Sequence, residues 1–396
     1  MAPDDAFRGL VCLDCATTYE SELPAHACPS CAGHLDGRYD LETGSLDLEA
    51  ARARGEGIFG LAAVLPVGAP DAVSLGEGST PLVETPALAE KSGVEEFLIK
   101  DEGQNPTGAV SDREMAVAVT AATRAGADRI AVASTGDDSQ SMAAYAARAG
   151  LEATTHLPSR ASFIHKAMMN VHGGEMSVVE GRLGDALEAF EADRAGPSAV
   201  HSMQPFENPY RHEGLKTLLY ELASQRAGSM PDHLIYPTGD GVGIVGLYKA
   251  AKELQQLGII DAMPRLWAAQ AENCAPIVAA WEADAETIEP VEYPDTICGA
   301  LEVPAPAGGA RILTALRESN GGGVAVEDGA ILSATVSVAE SEGIEMGVAG
   351  GAAAAAAWEL SASGEIRPEE SVAVVNTATG NKDADLARSH LMSQGV

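Results

Sequence analysis

A chain of 396 residues is too long for one small core and predicts two or more domains. Hydrophobic residues make up 46% of it, enough burial for a globular fold, which excludes a disordered chain. The formal charge of −33, from 25 basic against 58 acidic residues, repels phosphate backbones and anionic lipid, so nucleic acid and membrane are excluded as partners.

Acidic residues occur throughout, against seven lysines, as suits a surface kept soluble in concentrated salt. The expectation is a halophilic origin; an ordinary acidic cytosolic protein is the other reading. The opening Met1-Ala-Pro-Asp-Asp-Ala-Phe7 has no basic n-region and no apolar h-region, so no export signal is read. The longest apolar run, Gly347 to Trp358, is too short to span a bilayer, and a cytoplasmic location is expected.

In chain order, Cys12-Leu-Asp-Cys15 is followed after twelve residues by Cys28-Pro-Ser-Cys31. Two such knuckles put four thiolates on two tight turns, as a tetrahedral zinc site requires; iron is the other metal that suits it. A closed set of Cys12, Cys15, Cys28 and Cys31 is structural, with no open position for catalysis. Reduced or disulfide-linked pairs are the alternative. Cys274 and Cys298 have no such partner and read as buried small hydrophobes. Residues 1–38 are thus expected to form a zinc ribbon, and 39–85, with Gly/Pro clusters at 67–70 and 76–81, an arm packed on the core.

A strand-like run, Glu96-Phe-Leu-Ile-Lys100, then turns through Asn105-Pro-Thr-Gly108 into a helix beginning near Ser111-Asp112. Strand and helix patterns alternate from there: 129–134 into 139–149, 152–157 into 162–171, 175–179 into 183–192, and 199–203 into 210–225. They continue with 233–236 into 242–257 and 265–270 into 276–282, and a last strand, Val372-Ala-Val-Val375, ends at Asn376-Thr-Ala-Thr-Gly380. Ala352 to Ala357 read as a close-packed helix. Repeated βα units argue for an α/β fold of parallel-rich sheets covered by helices on both faces. Ligands in such sheets sit beyond the carboxyl ends of the strands, where the Gly-rich turns fall. The expected division is 86–200 for a smaller α/β domain and 201–396 for a larger one. His165, His172, His201 and His212 show no shared metal-ligand spacing, and no nucleophile elbow suggests a hydrolase.

The segment Asn105-Pro-Thr-Gly-Ala-Val-Ser-Asp-Arg-Glu114 resembles the Asn-Pro-Thr-Gly-Ser-Phe-Lys-Asp-Arg-Gly segment of threonine synthases, fold-type-II enzymes that use pyridoxal phosphate (PLP). The resemblance covers roughly residues 75–390 in order. It includes Leu75-Gly-Glu-Gly-Ser-Thr-Pro-Leu82, Asn208-Pro-Tyr-Arg-His-Glu-Gly-Leu-Lys-Thr217 and Gln270-Ala-Glu-Asn-Cys-Ala-Pro-Ile277. It implies the two-domain, tryptophan synthase β-like architecture, and a zinc ribbon also precedes the core in some archaeal members. Ser134, Thr135 and Ser139 fall where the family holds the substrate carboxylate, at a helix N-terminus that suits an anion. Asp137 stands at the asparagine that meets the PLP ring oxygen. Gly239, Asp240, Gly241, Val242 and Gly243 match the phosphate loop, and Thr377 the hydroxyl on the pyridine nitrogen, with Thr379 as a substitute. Each also has a plainer reading: helix cap, ligand-free glycine turn, strand-end turn.

The family's lysine, which forms the Schiff base, is replaced by Ser111. Serine forms no imine and is no base near neutral pH. Glu114, Asp137, Asp240, Val242 and Gly347 depart from the family at neighbouring motifs. The expectation is a threonine synthase-like protein that is catalytically silent, which leaves open whether the chain is an enzyme. The alternatives are an active PLP-dependent synthase or lyase using a different lysine, and a structural or regulatory subunit of an active paralogue. The ligands in view are an amino acid or phosphate, and the partners a second copy or that paralogue. Self-repulsion of −33 charges predicts a melting temperature that is higher in molar KCl than in dilute buffer; a thermal scan against salt checks it, and a flat response would remove the halophilic reading.

Overall fold

The computed structural model describes residues 6–20, 27–195 and 200–393. The opening residues 1–5 and the expected start of a strand at Ala199 lie outside them. The chain divides into two compact units. One comprises residues 1–79, 111–224 and 252–259, the other 80–110, 225–251 and 260–396. The units interleave along the chain, so 86–110 lies with the second and 201–224 with the first, which the expected contiguous segments do not express.

The first unit holds two sheets. A small antiparallel one places Phe7–Cys12 between Thr18–Tyr19 and Leu35–Tyr39. A parallel one runs in the order Glu175–Val179, Glu152–Pro158, Arg129–Ala133, His201–Ser202. Between 39 and 79 the chain forms the helix Leu48–Ala53 and two 3-10 segments, Gly57–Val64 and Ala69–Asp71, with Ile58, Phe59 and Leu65 buried. The helix Ser111–Arg124 is buried from Ser111 to Ala122. A helix wrapped on all sides needs small or apolar side chains, and Met115-Ala-Val-Ala-Val119 supplies them. Tyr210–Leu215 crosses it so closely that a Cβ on Gly214 would stand 2.0 Å from the carbonyl of Arg113. Only glycine fits there.

The expected helix over 210–225 is two, Tyr210–Leu215 and Thr217–Gln225, meeting at Lys216. Lys216 Nζ is fully buried and pairs with Glu213 (2.8 Å) and Glu253 (3.0 Å). Tyr39 donates to Glu213 (2.7 Å) and Tyr220 to Glu253 (2.8 Å). Burial, then the neighbouring carboxylates, push both phenols well up, so each stays a donor. A buried ion pair so completely hydrogen-bonded is tolerated; one missing a partner is not.

The second unit is built on a six-stranded sheet in the order Gly322–Val326, Arg265–Ala271, His233–Pro237, Ser371–Asn376, Glu96–Asp101, Leu82–Glu84. Five strands are parallel, and the short edge strand Leu82–Glu84 is antiparallel to its neighbour. The central strand His233–Pro237 is buried end to end and Ser371–Asn376 in all but its first residue, as apolar runs covered on both faces require. The alanine-rich helix Val348–Ser363 lies against the sheet and against Asp328–Glu342, where a Cβ on Gly351 would meet Thr335 Oγ1 at 2.0 Å. Elements not expected from sequence include Leu48–Ala53, Pro86–Ser92, Gly309–Glu318, Gly322–Val326, Asp328–Glu342 and Ala384–Ser393. The strand was masked by Gly321-Gly-Gly323, which reads as a turn. Its glycines are there for space, since a Cβ on Gly322 would fall 2.6 Å from the Trp281 ring. Among the described residues no helix is long and apolar enough to cross a membrane.

Candidate functional site

The residues singled out in the sequence fall into three groups, two in the first unit and one in the second, and each is described by itself. In the first unit, Ser111 opens its helix, 5% exposed. Its hydroxyl donates to Asp138 Oδ1 at 2.6 Å. Asp138 Oδ2 meets Arg211 Nη2 at 2.6 Å, and the same guanidinium pairs with Glu114 Oε2 at 2.6 Å. Arg211 also donates from Nε to Glu114 (2.7 Å) and from Nη1 to the carbonyl of Met203 (3.0 Å). Glu114 stands one turn beyond Ser111, so both project to one side of the helix. The place expected of a lysine therefore holds a serine, an arginine and two carboxylates, joined in one buried network.

Neighbouring positions are used in the same way. Asp112 accepts from Ser141 (2.6 Å), and Arg113 reaches Glu221 (3.0 Å) and Thr217 (3.2 Å). Asp137 meets His165 Nε2 at 3.1 Å, and His165 Nδ1 meets Ser162 Oγ at 2.8 Å. The Ser134 hydroxyl accepts from the Gly136 amide (2.9 Å). Ser139 is fully buried with its hydroxyl on Thr155 (2.5 Å), and Thr135 lies half-buried on the turn. Two of the three expected carboxylate holders thus spend their hydroxyls within the protein. Tyr145 donates to Glu77 (2.7 Å), and burial, with Asp112 and Glu77 beside it, pushes its phenol up.

In the second unit the glycine loop follows the strand His233–Pro237 and opens the helix Val242–Gln256. Asp240 Oδ1 accepts from the Val242 amide at 2.8 Å, so a carboxylate of the chain already caps this helix start. The glycines are packing positions: a Cβ on Gly239 would meet the Ala300 carbonyl at 2.5 Å, and one on Gly243 the Tyr236 ring at 2.1 Å. Gly241, at φ +91°, sits in backbone space that favours glycine. Thr377 is half-buried, and its carbonyl accepts from the Val110 amide (2.8 Å). Thr379 donates its amide to the Gly108 carbonyl (3.0 Å), which closes the last turn on the Asn105–Gly108 turn. Lys100, fully buried, donates to Thr80 O (2.7 Å) and Gln225 Oε1 (3.2 Å). Lys382 lies beside the same turn, its Cε 3.6 Å from where a Cβ on Gly108 would stand.

The four knuckle cysteines form a third site. Their Sγ atoms all lie within 4.8 Å of one another, with Cys12 to Cys31 at 3.5 Å and Cys15 to Cys28 at 3.7 Å. A tetrahedron of sulfurs about 2.3 Å from zinc has edges of about 3.8 Å, which these spacings approach. The two knuckles repeat each other: Ala16 and Ala32 have φ +58° and +59°, and donate to the carbonyls of Cys12 and Cys28. Tyr19 OH stands 3.0 Å from Cys28 Sγ. Asp36, His212 and Glu213 also gather within 4.8 Å, a cluster the sequence hides because Asp36 lies far from the other two. There Lys216 already supplies the positive charge. Cys274 and Cys298 are buried, and burial, then Asp383, push the Cys298 thiol up.

With this geometry in view, the family described as "Pyridoxal-phosphate dependent enzyme" matches residues 73–378. The chain belongs to that family. Curated relatives within it include the threonine synthase of Methanosarcina acetivorans, 35% identical over 375 residues, 94% of this chain and 92% of that protein. The threonine synthase of Methanocaldococcus jannaschii is 34% identical over 380 residues, 95% and 93%. Among solved structures, maize serine racemase aligns with a TM-score of 0.69 at 18% identity, covering 88% of this chain and 99% of that one. The diaminopropionate ammonia lyase of Escherichia coli aligns with a TM-score of 0.71 at 16% identity, covering 88% and 92%. These place the fold among the fold-type-II PLP enzymes, and the family's cofactor is pyridoxal phosphate.

The residues present do not fit that group in the attachment the resemblance implies. No amine stands at position 111, Asp137 faces His165, and Asp240 brings a carboxylate where a phosphate would lie. Sequence reasoning missed Arg211 and His165 as members of this region. The doublet Asp137-Asp138 at a helix start, beside an arginine motif at 208–211, was the available signal. Replacing Arg211 by Met strands a buried carboxylate and a part-buried one and is expected to cost about 3 kcal/mol of stability, against ~1 kcal/mol for Ser111→Ala. Denaturant unfolding in KCl compares them; equal small losses would remove Arg211 from the centre of the network.

Proposed function

We propose that this chain is a threonine synthase-like protein that has lost the family reaction, the conversion of O-phospho-L-homoserine and water into L-threonine and phosphate. One observation carries the reading: Ser111 is bonded to Asp138, and Asp138 and Glu114 are both held by Arg211. A serine in that network offers neither an amine for the cofactor nor a base for proton transfer. What the chain's own residues do there is hold one another. An acidic cytoplasmic protein adapted to salt, serving beside an active paralogue, agrees with the charge of −33. The test is visible absorbance of the pure protein in KCl with added pyridoxal phosphate, then borohydride reduction, peptide mapping and an assay with O-phosphohomoserine. The expected result is no fixed adduct and no threonine; turnover by the pure protein would end the proposal.

A second reading rests on Lys382, which lies beside the Asn105–Gly108 turn. In that reading the protein is an active PLP-dependent enzyme with a relocated lysine. A borohydride-fixed adduct mapped to Lys382, lost with activity in Lys382→Ala, would establish it.

Zinc on Cys12, Cys15, Cys28 and Cys31 is part of the proposal, supported by sulfur spacings close to a tetrahedral edge. Metal analysis is expected to give one zinc per chain. Cys28→Ser is expected to lose the metal and to lower the unfolding midpoint; full stability without metal would leave the cysteines as bare thiols.

A further inference from the structure

The short helix Tyr210–Leu215 is held from two sides. Successive helical residues turn by about 100°, so Arg211 and Glu213 project in opposite directions. Arg211 holds Glu114 and Asp138, while His212 and Glu213 meet the strand Leu35–Tyr39 of the small antiparallel sheet. Glu213 Oε1 accepts from the Gly37 amide at 3.1 Å and Oε2 from the Tyr39 hydroxyl at 2.7 Å. His212 Nε2 stands 2.6 Å from Asp36 Oδ1, and Lys216 Nζ lies 3.7 Å from the centre of the Tyr39 ring. A Cβ on Gly37 would fall 2.4 Å from Glu213 Oε1, so this contact depends on a glycine. The side chains of His212, Glu213 and Lys216 are at most 1% exposed. Charges so deeply buried depend on their partners, and Asp36, Gly37 and Tyr39 all come from one strand.

The cysteine knuckles place that strand. Cys12 pairs in register with Leu35, the Leu13 amide donates to the His34 carbonyl (3.0 Å), and the Cys28 amide donates to the Gly33 carbonyl (2.9 Å). The sheet is slight, with strands of six, two and five residues. Among the described residues its buried hydrophobic side chains are Leu10, Leu35, Cys12 and Cys28, so the cysteines are themselves half of its small core. In structural zinc sites of this kind the binding energy of the metal is folding energy. We propose, resting on zinc at Cys12, Cys15, Cys28 and Cys31, that the ribbon is a metal-dependent latch on the helix Tyr210–Leu215. With metal bound, the strand Leu35–Tyr39 keeps His212 and Glu213 satisfied, and the helix holds Arg211 against Glu114 and Asp138. Loss of the metal loosens the strand, takes Gly37 and Tyr39 from Glu213 and Asp36 from His212, and lets the helix open with its grip on the Ser111 network.

The test is hydrogen–deuterium exchange of the full chain in molar KCl with a reductant, before and after stripping with a chelator, with the zinc content of each sample measured. The expected result is that stripping raises exchange in residues 210–217 by about tenfold or more, as well as in the ribbon. Tyr39→Phe and Asp36→Asn are each expected to keep their zinc yet to raise exchange in 210–217, while Arg38→Ala, exposed in the same strand, changes neither. Faster exchange confined to the ribbon would overturn the proposal and leave zinc binding intact. Unfolding of the whole chain on stripping would overturn it as well, since a latch acts locally. A chain that takes up no zinc would end the latch and the zinc reading together.

Discussion

The first unit depends on how one buried guanidinium is satisfied. Arg211 is 1% exposed in its side chain and faces Glu114, Asp138 and the Met203 carbonyl. A guanidinium has five donors in a fixed fork, and burying it is tolerable only when the acceptors come to it in the right places. That requirement sets the neighbours. The helix from Ser111 must present Glu114 one turn in, and the helix from Asp137 must begin with Asp138 turned toward Arg211. Gly214 must be glycine so that the arginine's own helix comes close enough. The packing and the electrostatics here are one constraint.

The same economy recurs at other helix starts. A helix N-terminus attracts negative charge, and families that bind phosphates or carboxylates leave that attraction for the ligand. In this chain it is met from within: Asp240 caps Val242, Asp137 lies at the start of its helix, and Ser134 accepts from Gly136. The glycines of the loop at 239–243 are retained because Ala300, Ile312 and Tyr236 leave no room for a Cβ, which is a reason independent of any ligand. The packing alone is thus enough to require these glycines.

Much of the fold was legible because strands such as Val372-Ala-Val-Val375 and helices such as Ser111–Arg124 follow period and capping closely. The serine at 111 was legible by the company of its neighbours, and the four cysteines by spacing alone. What was not legible depends on distance along the chain. Asp36 meets His212, and Arg211 meets Asp138, through folding that no local pattern announces. The break at Lys216 was hidden because 210–225 has unbroken helical periodicity; the buried pairing with Glu213 and Glu253 overrode it. The glycine strand 322–326 was hidden for the opposite reason, since its residues signal a turn and the closeness of Trp281 to Gly322 and of Val278 to Gly323 explains them. The interleaving of the two units was likewise beyond reach, because composition does not change where the chain passes from one to the other.

The sharing of Asp138 between Ser111 and Arg211 has a consequence for position 111. A lysine placed at 111 would bring an ammonium to two carboxylates that share one arginine, and it would be held there as an ion pair, protonated. A reactive amine at that place would require the carboxylates at 138 and 114 to be absent. Yet losing them while Arg211 remains strands a buried cation. The charges at 111, 114, 138 and 211 are thus coupled: a neutral side chain is tolerated at 111 by itself, whereas an amine meant to stay unprotonated there calls for changes at its neighbours as well.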